Sequence, residues 1–310
     1  MSADTPLVSV CCITYNHAPF IRKAIEGFLM QKTDFPIEIL IHDDASTDGT
    51  TEIIREYEAK YPDLIFPIYE EVNQFQNGHA GDIDFFNYKR AKGKYIAYCE
   101  GDDYWTDPLK LQKQVDFMEA NPEYSVCFHN SRIYEIKSKR MFYPQPYSES
   151  NGEDLDVTSE LFMKSNIGQP LTMLFRKDVY DFEWQKHYDN YCDTIEIFHL
   201  LETGKGRFMS FCGGQYNLQD GGVSASKKNV DRWMETMVDF RQMYEYTRNK
   251  VLIDKLYETS LWGFELCRNN GLGCLAWKKV LPICKTSLIL GMKIYLTQMK
   301  REFKSLICRL

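Results

Sequence analysis

KYIAYCEGDDYW, residues 94–105, begins as a β-rich apolar run and ends abruptly in Glu100, Asp102 and Asp103. A strand that finishes in adjacent carboxylates concentrates negative charge at a sheet edge, which is unfavourable unless a cation balances it. The stretch therefore predicts a strand whose carboxyl end carries a metal site. Toward the N-terminus, LVSVCCI (7–13), IEILIHDD (37–44) and LIFPIYE (64–70) are three more such runs. Between them, Phe20, Ile21, Ala24, Ile25, Phe28 and Leu29 recur at helical spacing within 18–31, and Ser46, Thr47 or Asp48 offers an N-cap before a second helix. Strands apolar enough to be covered on both faces, alternating with helices, predict an α/β fold with a mostly parallel central sheet flanked by helices. Ligands of such sheets bind beyond the carboxyl ends of the strands. Thr14-Tyr15-Asn16, Asp43-Asp44 and Glu100–Asp103 all fall at those ends, so three polar clusters converge on one crevice.

Toward the C-terminus, Asp107-Pro108 opens a helix that ends at Asn121-Pro122. A strand is predicted over 124–135, a polar linker over 137–156 and an apolar run at 171–176. Residues 192–203 read as a helix with Asp193 at its start, where the helix dipole favours an ionised carboxylate. Two long helical patterns, 228–249 and 251–270, follow. The expected organisation is a domain over 1–225, a helical extension over 226–275 and a basic amphipathic tail over 276–310. In that tail, LILGMKIYLTQMKREFKSLI mixes lysines with apolar residues at helical spacing. Such a helix predicts peripheral contact with an anionic membrane face; packing back onto the domain is the other reading.

The 310 residues, 44% of them apolar, can fill a sizeable core. A net charge of −7 argues against a nucleic-acid partner. That total is asymmetric: residues 271–310 carry eight lysines and arginines against Glu302 alone, a net of +7, which leaves −14 on residues 1–270. The ten cysteines include no C-x-x-C pair and read as buried thiols, which predicts a reducing compartment. MSADTPLVSV has no signal-peptide pattern, and no run of 18 apolar residues occurs. The expected location is the cytoplasm, including the cytoplasmic face of the membrane.

Six stretches in order resemble the inverting glycosyltransferases of family 2, which have the GT-A, Rossmann-like fold: VSVCCITYN (8–16), IHDDASTDGT (41–50), AKGKYIAYCEGDD (91–103), DPLKLQKQVDFMEANPE (107–123), CDTIEIF (192–198) and YNLQDGGVS (216–224). The resemblance implies a metal-dependent hexosyl- or N-acetylhexosaminyltransferase. It would take a nucleoside-diphosphate sugar, with a UDP-sugar favoured, and a glycan or lipid-linked acceptor, in surface-polysaccharide assembly. It implies Asp103 as the ligand of Mn2+ or Mg2+, Asp102 toward the ribose, and Glu100 as a further carboxylate able to touch metal or donor. Tyr15 and Asp44 match positions that stack on and hydrogen-bond the nucleobase, with Thr14 and Asn16 beside them. Trp105 and Gln169 become donor or acceptor contacts. Asp193 becomes the general base, with Glu196 a less favoured alternative.

Two departures stand out. Many relatives read Tyr-Arg-x-His where this chain has Asn217 and Gln219, so Lys227 or Lys228 is expected to compensate near the diphosphate. The usual Arg-Asn pair before the fourth strand is replaced by Asn87-Tyr88-Lys89-Arg90, with Lys89 and Arg90 directed to the nucleotide or to solvent. A sugar nucleotidyltransferase would need a Gly-rich loop with a basic residue after the first strand, which CCITYNHAPF lacks. A non-catalytic sugar-binding module would not need Asp103 together with Asp193.

Overall fold

The computed structural model describes residues 5–79, 83–143, 152–165, 167–219, 229–269, 278, 280 and 288–307. The strands are β1 (Val8–Thr14), β2 (Ile37–Asp43), β3 (Ile65–Tyr69), β4 (Tyr95–Tyr98), β5 (Tyr104–Trp105), β6 (Tyr124–Glu135), β7 (Arg140–Phe142), β8 (Leu155–Val157), β9 (Leu174–Arg176) and β10 (Lys205–Leu218). They form one sheet in the order β3-β2-β1-β4-β9-β6-β10-β5, with β7 on β6 and β8 on β10. The first half, β3-β2-β1-β4, is parallel. The second half is mixed: β9 runs antiparallel to both β4 and β6, and β10 runs parallel to β6 but antiparallel to β5. The parallel strands of the first half are joined by crossover helices. β9 is instead fed by a short 3-10 turn, Pro170–Thr172, which does not impose a parallel return.

Helices α1 (Ile21–Leu29) and α2 (Thr50–Lys60) cover the sheet, and α1 buries Ile21, Ala24, Ile25 and Phe28. The cap of α2 is Gly49, at φ 100°, rather than Ser46, Thr47 or Asp48. Asp48 still accepts from the Thr50 N–H at 3.1 Å. Helix α3 spans Ile83–Arg90. Its Asn87 donates to the Cys12 carbonyl at 2.9 Å and its Arg90 to the Ile41 carbonyl at 3.1 Å, so both brace strand ends. α4 (Lys110–Ala120) starts three residues later than Asp107. There Asp107 caps a preceding turn by accepting from the Leu109 N–H at 2.9 Å. α5 (Ser159–Ser165) and α6 (Asp193–Thr203) complete this part.

α4 brings an unusual group into the core. Lys110 is fully buried, its ammonium nitrogen lies 3.8 Å from the centre of the Trp105 ring, and that nitrogen has no hydrogen-bond partner. Burial lowers its pKa to about 7, against the partial compensation of the Cys99 and Cys127 thiols. The unfolded chain therefore binds a proton that the folded chain releases between about pH 7 and 10, so this residue makes stability rise with pH across that window. Lys110→Met is expected to stabilise the protein by about 2 kcal/mol at pH 7, the usual sign for replacing a buried charge by an apolar isostere. Urea melts at pH 6.5 and 8.5 should show that the variant has lost this component of the pH dependence.

The chain forms two compact units, one comprising Met1–Phe182 and Tyr191–Asp220, the other Glu183–Asn190 and Gly221–Leu310. In the second, α7 (Asn229–Thr247), α8 (Val251–Asn269) and α9 (Leu288–Ile307) share a core of Trp233, Met237, Leu256, Phe264, Leu290 and Ile294. Gly263 lets α8 approach α7, since a β-carbon there would fall 1.9 Å from the Trp233 ring. On α9, Met292, Tyr295, Leu296 and Met299 are exposed at the i, i+3, i+4, i+7 spacing of a single helix face. Among the described residues, no helix is long and apolar enough to cross a membrane.

Candidate active site

Strand register places the predicted crevice. Thr14 lies opposite Asp43 at the ends of β1 and β2, whereas β4 stops earlier, with Tyr98 opposite Cys11. The chain beyond β4 then turns across the end of β1, with the Gly101 N–H donating to the Ile13 carbonyl at 2.8 Å. Only glycine fits: a β-carbon at residue 101 would lie 2.5 Å from the Thr14 hydroxyl and 3.0 Å from Ile21. Glu100, Asp102 and Asp103 are thereby gathered, each offering a carboxylate oxygen, with those atoms all within 4.8 Å of one another.

These residues fit a divalent cation. Asp103 is buried; its Oδ1 accepts from the Asn217 N–H at 2.7 Å, while its Oδ2 has no hydrogen-bond partner. Burial, and then the charge of Asp102, push its pKa well above the usual carboxylate range. A buried carboxylate oxygen with no donor and a like charge beside it is stabilised by a hard cation, and an all-oxygen set suits such an ion. Asp102 accepts from the Gln219 amide at 2.9 Å, and His17 Nε2 lies 3.8 Å from the same oxygen. Burial outweighs the attraction of Asp102 and lowers the His17 pKa. Sequence reasoning passed over His17, although it directly follows the Thr14-Tyr15-Asn16 cluster.

The loops after β1 and β2 are stitched together. Asn16, at φ 55°, accepts from the Thr47 N–H at 2.8 Å and donates its own N–H to the Ser46 hydroxyl at 2.9 Å. The His17 N–H donates to the Thr50 hydroxyl at 2.8 Å, and the Thr14 hydroxyl meets His17 Nδ1 at 3.2 Å. This holds Thr14 buried and Tyr15 open to solvent. The Asp44 carboxylate is buried and receives the backbone N–H groups of Gln74 at 2.6 Å and Phe75 at 3.1 Å.

Asp193 is the first residue of α6 and is exposed, and its Oδ1 accepts from the Thr194 N–H at 2.7 Å. The helix-terminal position alone predicts a lowered pKa, but desolvation by the protein around the carboxylate raises it, although the residue keeps an exposed surface. The Tyr216 pKa is raised by burial first and then by the charges of Glu100, Asp103, Asp102 and Asp193. Glu196, the alternative base, is buried with its carboxylate receiving the Tyr88 hydroxyl at 3.1 Å.

Trp105 does not line the crevice. It is 1% exposed, stacked edge-on to Phe28 and bonded through its indole N–H to the Leu171 carbonyl at 2.9 Å; an apolar ring after two carboxylates is drawn into the core. Gln169 is partly buried and accepts from the Ser131 hydroxyl at 2.5 Å. Lys227 and Lys228 lie outside the described residues.

Residues 9–182 match the family model of glycosyl transferase family 2. An uncharacterized protein of Mycobacterium tuberculosis is 42% identical over 171 residues, 55% of this chain and 47% of that protein, so the chain spans about half the length of that relative. The putative teichuronic acid biosynthesis glycosyltransferase TuaG of Bacillus subtilis is 37% identical over 224 residues, covering 72% of this chain and 83% of TuaG. The crystal structure of S. aureus TarS 1-349 in complex with UDP-GlcNAc superposes with a TM-score of 0.61 at 20% identity, over 85% of this chain and 74% of that one. A mannosyltransferase from Pyrobaculum calidifontis, solved with GDP-Man and Mn2+, gives 0.55 at 16% identity over 97% and 84%. At such identities the structures speak for the fold alone, a mixed α/β sheet of GT-A type flanked by helices. With its family model matched over more than half its length, the chain belongs to glycosyltransferase family 2.

Proposed function

We propose that the chain is an inverting glycosyltransferase that moves a sugar from a nucleoside diphosphate, UDP favoured, to a hydroxyl of a glycan or lipid-linked acceptor in surface-polysaccharide assembly. The observation that carries this reading is the acidic turn of Glu100, Asp102 and Asp103, with the unpartnered Oδ2 of Asp103 at its centre. Names among the relatives support the substrate classes: TuaG carries the name putative teichuronic acid biosynthesis glycosyltransferase and TarS was crystallised with UDP-GlcNAc. Catalysis is assigned to residues 1–225, with 226–275 as a helical extension and 276–310 as a basic tail.

Asp103, with Glu100 or Asp102, would hold Mn2+ or Mg2+. When bound, the ion supplies positive charge that stabilises the departing diphosphate. Tyr15 offers an exposed ring as a platform for a nucleobase, held in place by the stitched loops beneath it. Asp193 accepts the proton of the attacking hydroxyl. Its raised pKa strengthens it as a base. Attack opposite the leaving diphosphate inverts the anomeric centre in one displacement.

The test is a panel of nucleotide sugars with and without Mn2+ or Mg2+. Metal-stimulated transfer, or slow hydrolysis of one donor, is expected. Binding without turnover would instead make the chain a sugar-binding module, and pyrophosphate-dependent exchange would make it a nucleotidyltransferase.

Peripheral membrane contact is part of the same proposal. The exposed Met292, Tyr295, Leu296 and Met299 face of α9, with exposed Lys293 and Lys300 on the same helix, fits an anionic lipid surface. Leu296→Glu combined with Met299→Glu is expected to abolish cosedimentation with phosphatidylglycerol vesicles. Unchanged cosedimentation would remove the membrane assignment.

A further inference from the structure

β5 and β10 pair antiparallel, with Gly214 opposite Trp105 and Gln215 opposite Tyr104. Two residues further, the same register carries Asn217 to Asp102. Three polar groups of Asn217 are used there. Its backbone N–H donates to Asp103 Oδ1 at 2.7 Å, its Nδ2 donates to the Asp102 carbonyl at 2.6 Å, and its Oδ1 accepts from Gln215 Nε2 at 3.0 Å. The Gln215 contact fits only one orientation of the amide. Asn217 is 5% exposed, so its side chain is committed to the acidic turn and is not available to a diphosphate as a basic residue would be.

We propose that Asn217 is a positioning residue for the cation, fixed in turn by Gln215. It clamps the Asp102–Asp103 peptide and occupies Oδ1 of Asp103, leaving Oδ2 as the ligating oxygen. Because the clamp is neutral, it orients the carboxylates without cancelling their charge, which an arginine at this position would do. The clamp stands on a strand, which holds geometry more tightly than a loop. Groups that hydrogen-bond a ligating carboxylate are worth roughly 10- to 100-fold in metal affinity. The inference rests on the metal reading of the acidic turn.

The test uses the full chain, stripped of metal and titrated with Mn2+ alone, free Mn2+ being read by electron paramagnetic resonance. Asn217→Ala keeps the backbone N–H on Asp103 Oδ1 but removes the side-chain bond to the Asp102 carbonyl, and is expected to weaken binding by up to about 10-fold. Gln215→Ala, which leaves Asn217 in place but frees its amide, should weaken it by a smaller factor. Melting temperatures of the stripped proteins separate loss of the clamp from loss of the fold, and Gln215→Ala carries the test if Asn217→Ala does not fold. Affinities of the folded variants equal to wild type would overturn the clamp while leaving the metal site standing. Failure of the wild type itself to bind Mn2+ would overturn the metal reading and the clamp with it.

Discussion

Asp103→Asn is expected to lower metal-stimulated transfer by roughly a thousand-fold or more, the scale of losing several kcal/mol of leaving-group stabilisation. The same substitution should make the metal-free protein more stable at neutral pH. Burial and Asp102 raise the Asp103 pKa above its unfolded value. Its contribution to stability is therefore complete below about pH 4 and is lost as pH rises through the folded pKa. Asparagine carries no charge to bury and can keep the hydrogen bond from the Asn217 N–H. Thermal melts in EDTA should place the variant above wild type at pH 7.5. Added Mn2+ should then raise the wild type by mass action and leave the variant unmoved. A variant that melts below wild type in EDTA would mean that the buried carboxylate is held by something other than a cation.

Asp193→Asn is expected to lower kcat by about 10²- to 10⁴-fold with little change in donor KM, the signature of losing a proton acceptor needed in the transition state. Because desolvation raises the Asp193 pKa, the acid limb of the wild-type pH profile should lie above the ordinary aspartate range. That limb should vanish from the residual activity of the variant. Metal binding, measured separately, should survive, which distinguishes this residue from Asp103. Equal kcat values for wild type and variant would transfer the role of base elsewhere. Glu196 is a poor replacement, since it is buried and engaged by Tyr88.

The parallel half of the sheet was legible because each of its strands is an apolar run with turn residues at its ends, and β6 spans the predicted 124–135. β10 was not legible. KGRFMSFCGGQYNL has no clean alternation, because Gly206, Gly213 and Gly214 serve close approaches to Leu201, His129 and Leu171 and the pairing with β6 shifts register between Met209 and Gly214. Yet this strand supplies Asn217, Tyr216 and the support for Asp103. The acidic turn itself could be read from charge at a strand end. The partners that orient it come from more than a hundred residues away, and only the register of β5 against β10 brings them together. Trp105 shows the opposite error. Beside the polar turn it reads as a donor or acceptor contact, whereas the structure buries it against Lys110. The altered YNLQ segment was read as lost cations, but the geometry gives Asn217 and Gln219 hydrogen bonds to the two aspartates instead.

The tight seat of Gly101 against Thr14 and Ile21 also bears on how this protein could be diversified. With no room for a side chain, residue 101 ties the acidic turn to the end of the first strand, so the proposed cation site and the proposed Tyr15 platform would travel as one cassette. Directed evolution toward a new donor should therefore hold residues 13–17 and 100–103 constant. It should place its variation in segments that do not share this seat, such as the exposed Met141-Phe142-Tyr143 edge beyond β6.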